Sequence, residues 1–578
     1  MKKTRFLTVI SAMTLLTACG GGKNQGGFEE AWSHDEKQHW HASKDGSDET
    51  SGTANHTFGD PTVKNGVEVQ VCKICEYEKE VDHESEFSVI EVGEEISIHT
   101  KKQKEYLSFE GDYSTMAAAA YPDGTTSISD PLTQLIEWEY ENHDDDVKYS
   151  VSISQTKDMS NAMEIMGTNE QSIEAYNFFV GDNYYRINAY KNNVRVSSGI
   201  FKTTVTDGAP RNLYVGTKMT NCRDTGGRET EQGAMVKQGL LYRTCGSGYN
   251  MDGIKIDDEG KRILLNELKI KTEINVNDGD NYNFNIQGIK VYDTLCDYAN
   301  SSNPSKHHFS RNAESVKNVF EILADKDNYP IAYHCRIGTD RTGLLAILIN
   351  GVIGVSINDI YQDYLFSNFG KIGNKRYIGA QAGEDNIQKY MQEINALPGD
   401  SFQEKTYNAL LAIGVPAETI EKVKEILLEG EIPTNDNGQI ALSVDEMEVS
   451  GTDVLTESKA NLTERTNPAS YASLVGGATV TAEFETKAAG TKQVYAYLGH
   501  KENSSSKKIN GSISVEVDGS EVTVPATTFA DAGMGNCAGR VNYYFVKVAE
   551  LSNLAAGPPS ITITGLANSM NIGGIAIF

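Results

Sequence analysis

A cysteine and an arginine stand six positions apart in the run His334-Cys335-Arg336-Ile337-Gly338-Thr339-Asp340-Arg341-Thr342-Gly343 of this 578-residue sequence. A cysteine sulfur is a nucleophile when ionised, and a planar guanidinium grips two oxygens of an anionic ester at once. Between them the backbone N–H groups of Arg336, Ile337, Gly338, Thr339 and Asp340 can turn inward as an anion cradle and stabilise the thiolate. Gly338 and Gly343 permit a tight turn and close packing. Thr342 can donate a hydrogen bond to the sulfur, and His334 can brace the loop. The chemistry this pattern serves is attack of sulfur on an anionic ester.

Such a loop needs a strand to deliver the cysteine and a helix to point its N-terminus at the anion. The apolar YPIAY precedes Cys335, and LLAILING follows the arginine. Further strands are expected at KTEINV and GIKVY, both buried, and a helix at RNAESVKNVFEILAD with Val316, Val319, Phe320 and Leu323 on one face. Strands alternating with helices predict an α/β sheet over residues 209–431, with the site at the carboxyl ends of its strands.

On these residues the stretch resembles the protein tyrosine phosphatase superfamily, whose loop reads His-Cys-x5-Arg-Ser/Thr. The segments NCRDTGGRETEQGAMVKQGLLYRT and GVSINDIYQDYLFSN narrow the resemblance to the bacterial tyrosine and lipid phosphatase family. The resemblance implies a phosphocysteine intermediate, no metal or other cofactor, and an aspartate that protonates the leaving oxygen. Asp297, in LCDYANSSNP, is the candidate acid; Asp293 is the alternative, and Asp340 a third. Two departures stand out. Thr339 occupies a position where many relatives carry lysine, and INVND replaces the usual Asp-Leu-Arg at a strand end. Arg223, Asp224, Arg243 and Asp363 are read as a structural ion-pair network. Cys296 is a candidate partner for an oxidised Cys335, with a Cys222–Cys245 disulfide as the competing use of thiols.

The length implies several domains, and the whole is expected to be a multidomain chain in which all-β sandwiches flank the α/β catalytic domain. Residues 1–19 combine Lys2, Lys3 and Arg5, a short apolar run and Leu16-Thr17-Ala18-Cys19, a pattern similar to a bacterial lipobox. Cys19 would then be lipidated, anchoring the protein to a membrane in the extracytoplasmic cell envelope. The polar, glycine-rich 20–60 is expected to be a flexible tether. A small module over 61–110 holds Cys72 and Cys75, which with the nearby histidines His34, His39, His41 and His56 make a zinc candidate, His39 and His41 being taken as the ligands, with a disulfide or a surface thiol pair as the alternative. Residues 121–206 alternate in short runs, with Trp138 expected in a core, and resemble a fibronectin type III or immunoglobulin-like sandwich. Residues 439–578 suggest a jelly-roll similar to carbohydrate-binding modules, where Tyr495, Tyr497, Tyr543 and Tyr544 either stack on a glycan or pack internally.

A formal charge of −28 excludes nucleic acid as a partner. The expected substrates are phosphorylated proteins, at tyrosine or serine, or phosphoinositides. The competing reading is a surface adhesion protein whose phosphatase-like domain binds without turnover.

Overall fold

The computed structural model describes residues 27–64, 67–81, 86–116, 130–165, 167–248, 255–277, 282–294, 296, 312–378, 387–432, 441–456, 470–484, 490–501, 513–524, 541–554, 557, 559–566 and 570–578. Cys19 and Asp297 lie outside them. The chain forms two compact units, residues 1–85 with 189–198, and 86–188 with 199–578.

The first unit carries two small antiparallel sheets. One comprises Ser33–His34, Gln38–Ala42 and Thr50–Asn55; the other comprises Thr62–Lys64, Val67–Val71 and Glu78–Glu80. The expected flexible tether over 20–60 is therefore corrected: residues 33–55 of it form a sheet. Composition misled because this sheet is held by local polar chemistry rather than by an apolar face. Asp35 accepts hydrogen bonds from the N–H groups of Lys37 and Gln38, both at 2.7 Å, and closes the turn into the second strand.

The second unit begins with a sandwich. One sheet orders Met163–Glu164, Val147–Ser154, Gly181–Lys191, Val194–Val205 and Glu95–Ile96, the residues 189–198 of its third and fourth strands being counted with the first unit; the other orders Ser172–Ala175, Gln134–Tyr140 and Phe87–Glu91. Trp138 is buried, as expected, with its ring edge-on to Tyr149 at 5.2 Å. Two boundaries change. The sandwich recruits strands from Phe87 onward, so 61–110 is not one module, and the segment after them forms the helix Lys101–Leu107, capped by Thr100 and Gln103.

The α/β sheet follows. Its strand order is Arg223–Asp224, Leu241–Thr244, Ile331–His334, Thr272–Asn275 and Lys290–Asp293; the last four are parallel and the first antiparallel. Ile331–His334 is central and fully buried. Lys290–Asp293, expected to be buried, is an exposed edge strand, since its one sheet neighbour is Thr272–Asn275. The helix Asp340–Val352 leaves the central strand through the cysteine loop, and every residue from Thr342 to Val352 is buried. It packs against Ile357–Phe366 and Phe402–Ala412. Gly351 allows the second approach, because a Cβ there would stand 2.6 Å from Thr406 Oγ1. Each buried Leu or Ile of this helix contributes about 1.5–3 kcal/mol by leaving water. Ala313–Leu323 buries Val316, Val319, Phe320 and Leu323 together, the face its spacing predicts.

The C-terminal sandwich pairs two sheets. One orders Val454–Thr456, Ser470–Leu474, Met570–Ile577, Gly490–Lys501 and Val541–Leu554; the other orders Glu448–Ser450, Thr479–Glu483, Ser560–Gly565, Ile513–Val517 and Ser520–Val522. Tyr495 and Tyr497 do not present rings for a sugar. Both are buried in the core they share with the α/β domain, and Tyr495 Oη donates to the Ala396 carbonyl at 3.4 Å. The side chains of Tyr543 and Tyr544 lie outside those described. Among the described residues, no helix is long and apolar enough to cross a membrane.

Candidate active site

The carboxyl ends of the parallel strands bring Thr244, Asn275, Asp293 and His334 to one edge of the sheet, and Cys335 begins the loop there. Cys335 is nearly enclosed, at 3% exposure. The chain passes through Arg336, Ile337, Gly338 and Thr339 and enters the helix at Asp340, where Gly343 N–H bonds back to the Thr339 carbonyl at 2.8 Å. The helix N-terminus therefore opens toward the sulfur's loop, a favourable place for an anion. Gly338 has φ +70°, and a Cβ on it would stand 2.3 Å from the Thr244 carbonyl oxygen, so both its conformation and its space require glycine.

The loop is braced on every side. His334, fully buried, donates from Nδ1 to the Cys335 carbonyl at 2.8 Å, and its Nε2 meets Glu273 Oε1 at 2.7 Å. Phe284 stacks on the same ring at 4.9 Å. Arg243 donates to the Gly338 carbonyl at 2.8 Å, and Asn221 donates to the Ile337 carbonyl at 3.0 Å and to Thr339 Oγ1 at 3.2 Å. Gly246 N–H bonds to the Arg336 carbonyl at 2.9 Å. With its carbonyls drawn outward, the loop leaves its N–H groups for the interior. The Thr342 hydroxyl is buried and has no hydrogen-bond partner among the described residues, as a donor reserved for the sulfur would be.

Arg341 is half-buried, and its guanidinium bonds Asn277 Oδ1 just beyond the strand Thr272–Asn275. Asn277 thus sits in the segment that departs from the resembled family and orients the loop arginine. Asp340 is held by Nε and Nη2 of Arg376, at 2.9 Å each, which gives it a structural ion pair rather than a free acid. Asp293 accepts from Asn275 at 3.0 Å and Asn283 at 3.3 Å. Arg336 is half-exposed, with its guanidinium 5.9 Å from the centre of the Tyr282 ring.

Beneath the loop lies the ion network expected from the sequence. Arg223 reaches Asp363 at 2.6 Å and Arg243 reaches its other oxygen, all three side chains being buried. Burial works against the Asp363 charge, but the two arginines outweigh it and hold this carboxyl well below the usual range. Asp224 instead pairs with Arg211 at 2.8 Å and accepts the N–H groups of Gly226 and Gly239, fixing the edge strand. The network is not purely passive, since Arg243 joins Asp363 to the loop carbonyl. Glu273, Asn221, Asn277 and Arg376 went unread in the sequence. Their available signal was position, since Asn221 and Asn277 are polar residues beside strand ends at the site edge.

Cys222, Cys245 and Cys296 are free thiols, so the proposed Cys222–Cys245 disulfide is absent from the structure. Burial pushes the Cys245 thiol well up, and its sulfur accepts the Thr220 N–H at 3.2 Å. In the first unit, Cys72, Cys75, His39 and His56 form a cluster whose donor atoms all lie within 4.8 Å of one another. His56 replaces the expected His41, whose Nδ1 is turned to the Ala31 carbonyl at 3.2 Å and whose ring stacks on Trp32 at 3.8 Å.

Residues 216–427 match the model of the tyrosine phosphatase family, and this part of the chain is a tyrosine phosphatase family domain, a phosphatase of the hydrolase class. No curated protein matches the chain. Similar solved structures include the core catalytic domain of the PP-IP phosphatase SIW14 from S. cerevisiae, at 22% identity, covering 26% of this chain and 79% of that one with a TM-score of 0.19. P. aeruginosa TpbA is 16% identical, with 30% and 91% covered and a TM-score of 0.20. A Podospora anserina GH26-CBM35 β-(1,4)-mannanase is 15% identical, with 25% of this chain and 28% of that chain covered and a TM-score of 0.17.

Proposed function

We propose that the protein is a surface-anchored cysteine phosphatase that hydrolyses phosphomonoesters through a phosphocysteine intermediate. The observation that carries this reading is the loop from Cys335 to Arg341, with its carbonyls tied outward, a helix N-terminus behind it and an arginine oriented by Asn277. In the reaction the Cys335 thiolate attacks phosphorus, a bond forms from sulfur, and the ester oxygen leaves with a proton from an acid. Asp297 is the proposed acid, with Asp293 as its alternative; the same carboxylate then draws a proton from the water that releases phosphate. Arg341 and the N–H groups of residues 336–340 hold the equatorial oxygens.

Thr339 is buried and bonded to Asn221, so the position where many relatives carry lysine braces the loop instead of extending a charge. This favours singly phosphorylated protein side chains over polyphosphoinositides. The lipobox-like segment ending at Cys19 supports attachment to a membrane outside the cytoplasm, and the C-terminal sandwich suits attachment to a surface glycan through groups other than Tyr495 and Tyr497.

The test is release of phosphate from an aryl phosphate by the purified chain. Cys335→Ser and Arg341→Ala are each expected to abolish it, with a chelator leaving the wild type unchanged. Asp297→Asn is expected to slow turnover at least ~10²-fold and to remove the fall in rate at high pH that marks an acid losing its proton. If Asp293→Asn does this instead, the acid is misassigned. Phosphate binding without turnover would favour the adhesion reading.

A further inference from the structure

The cluster in the first unit has the form of a closed metal site. Zinc bonds of about 2.0 Å to nitrogen and 2.3 Å to sulfur put the ligands of a tetrahedron roughly 3.3–3.8 Å apart. Cys75 Sγ lies 3.3 Å from His56 Nδ1, and Cys72 Sγ lies 3.9 Å from His39 Nδ1. We propose that His39, His56, Cys72 and Cys75 bind one zinc ion, and that this ion holds the first unit together.

Three further observations support the assignment. His56 Nε2–H donates to the Asp35 carbonyl at 2.8 Å, which leaves Nδ1 as the lone-pair nitrogen aimed at the cluster. The Cys72–Cys75 turn is built to present both sulfurs: Cys72 N–H bonds the Tyr77 carbonyl at 2.8 Å, Glu76 N–H bonds the Cys72 carbonyl at 3.1 Å, and Glu76 takes φ +61° to reverse the chain. Most telling is the core. Among the described residues of 27–81, His39, Val69 and Cys72 are the buried ones, and two of these three are ligands. A unit this small with so little apolar burial needs another source of stability, which a structural metal supplies.

The ligands come from different places. His39 lies on Gln38–Ala42, His56 follows Thr50–Asn55, and the two cysteines follow Val67–Val71. One ion would therefore tie the two small sheets to each other. Two thiolates and two imidazoles at tetrahedral spacing suit zinc, and four protein ligands leave no open position for catalysis. Both cysteines bind the ion as thiolates.

The experiment loads the full chain with zinc alone, removes excess, and measures bound metal by elemental analysis and the zinc X-ray absorption edge. One zinc per chain with two sulfur and two nitrogen neighbours is expected. His56→Ala and Cys75→Ser should lose it, His41→Ala should keep it, and phosphate release should survive in all three. If the variants fail to fold, the ligand shell of the wild type still decides. No retained zinc, an oxygen-rich shell, or a Cys72–Cys75 disulfide in protein purified without oxidant would overturn the proposal.

Discussion

At the scale of single residues, Asn277 shows how a departure from a familiar pattern can still serve the site. Its side-chain oxygen bonds Arg341, while its N–H bonds Asn275 Oδ1 at 2.9 Å, so the strand end positions the guanidinium. Removing that oxygen takes away one restraint on the guanidinium, and a misplacement of about 1 Å in such a site lowers rate on the order of 10²-fold. Asn277→Ala is therefore expected to reduce kcat/KM by about that factor and to weaken inhibition by vanadate. Steady-state kinetics beside a circular dichroism spectrum unchanged from wild type would check it. Cys335, Arg341 and Gly338 were legible because their spacing alone carries the chemistry. Asn277 was not, because an asparagine after a strand has many uses until its neighbour is known.

At the scale of elements, the antiparallel edge strand, the strand Leu241–Thr244 and the helix Ile357–Phe366 meet at one carboxylate. Asp363 faces Arg223 and Arg243, both enclosed, and Arg243 passes the restraint on to the Gly338 carbonyl. Asp363→Asn would leave two buried guanidinium groups around a neutral amide. Breaking a buried pair in this way costs about 3–5 kcal/mol. Denaturant unfolding is expected to show a loss of that size, accompanied by slower phosphate release as the loop loosens; unchanged stability would mean that water replaces the carboxylate. The network as a group was readable from four charged residues in the matching segments. Which acid serves which base was not: Asp224 turns to Arg211, and Asp363 takes both of the others.

At the scale of the molecule, His99 braces the segment by which the chain leaves the sandwich for the phosphatase domain. Its Nε2–H donates to the Pro210 carbonyl at 3.0 Å, its ring lies 6.0 Å from Phe366, and Asp207, Lys104 and Arg228 are the charged groups around it. Burial lowers the pKa of His99 despite the pull of Asp207. The folded state therefore binds this proton less readily than the unfolded chain, whose histidine titrates near 6.5, and the stabilisation is complete above that pH and lost as pH falls below it. Thermal unfolding of wild type and His99→Gln at about pH 7.5 and about pH 5.5 is expected to show the advantage of wild type shrinking at the lower pH. A gap that widens there would reverse the sign.

The sequence by itself determined the α/β class, the buried central strand, the face of Ala313–Leu323 and the loop that sets Cys335 six positions before Arg341, because periodicity and fixed spacing are local properties. Tertiary structure alone decided which histidine joins Cys72 and Cys75, where the first unit and the sandwich divide, and that Tyr495 and Tyr497 pack inward. Those outcomes depend on contacts between segments far apart in the chain. Residue type states what a side chain can bind, and only the fold determines what stands within reach.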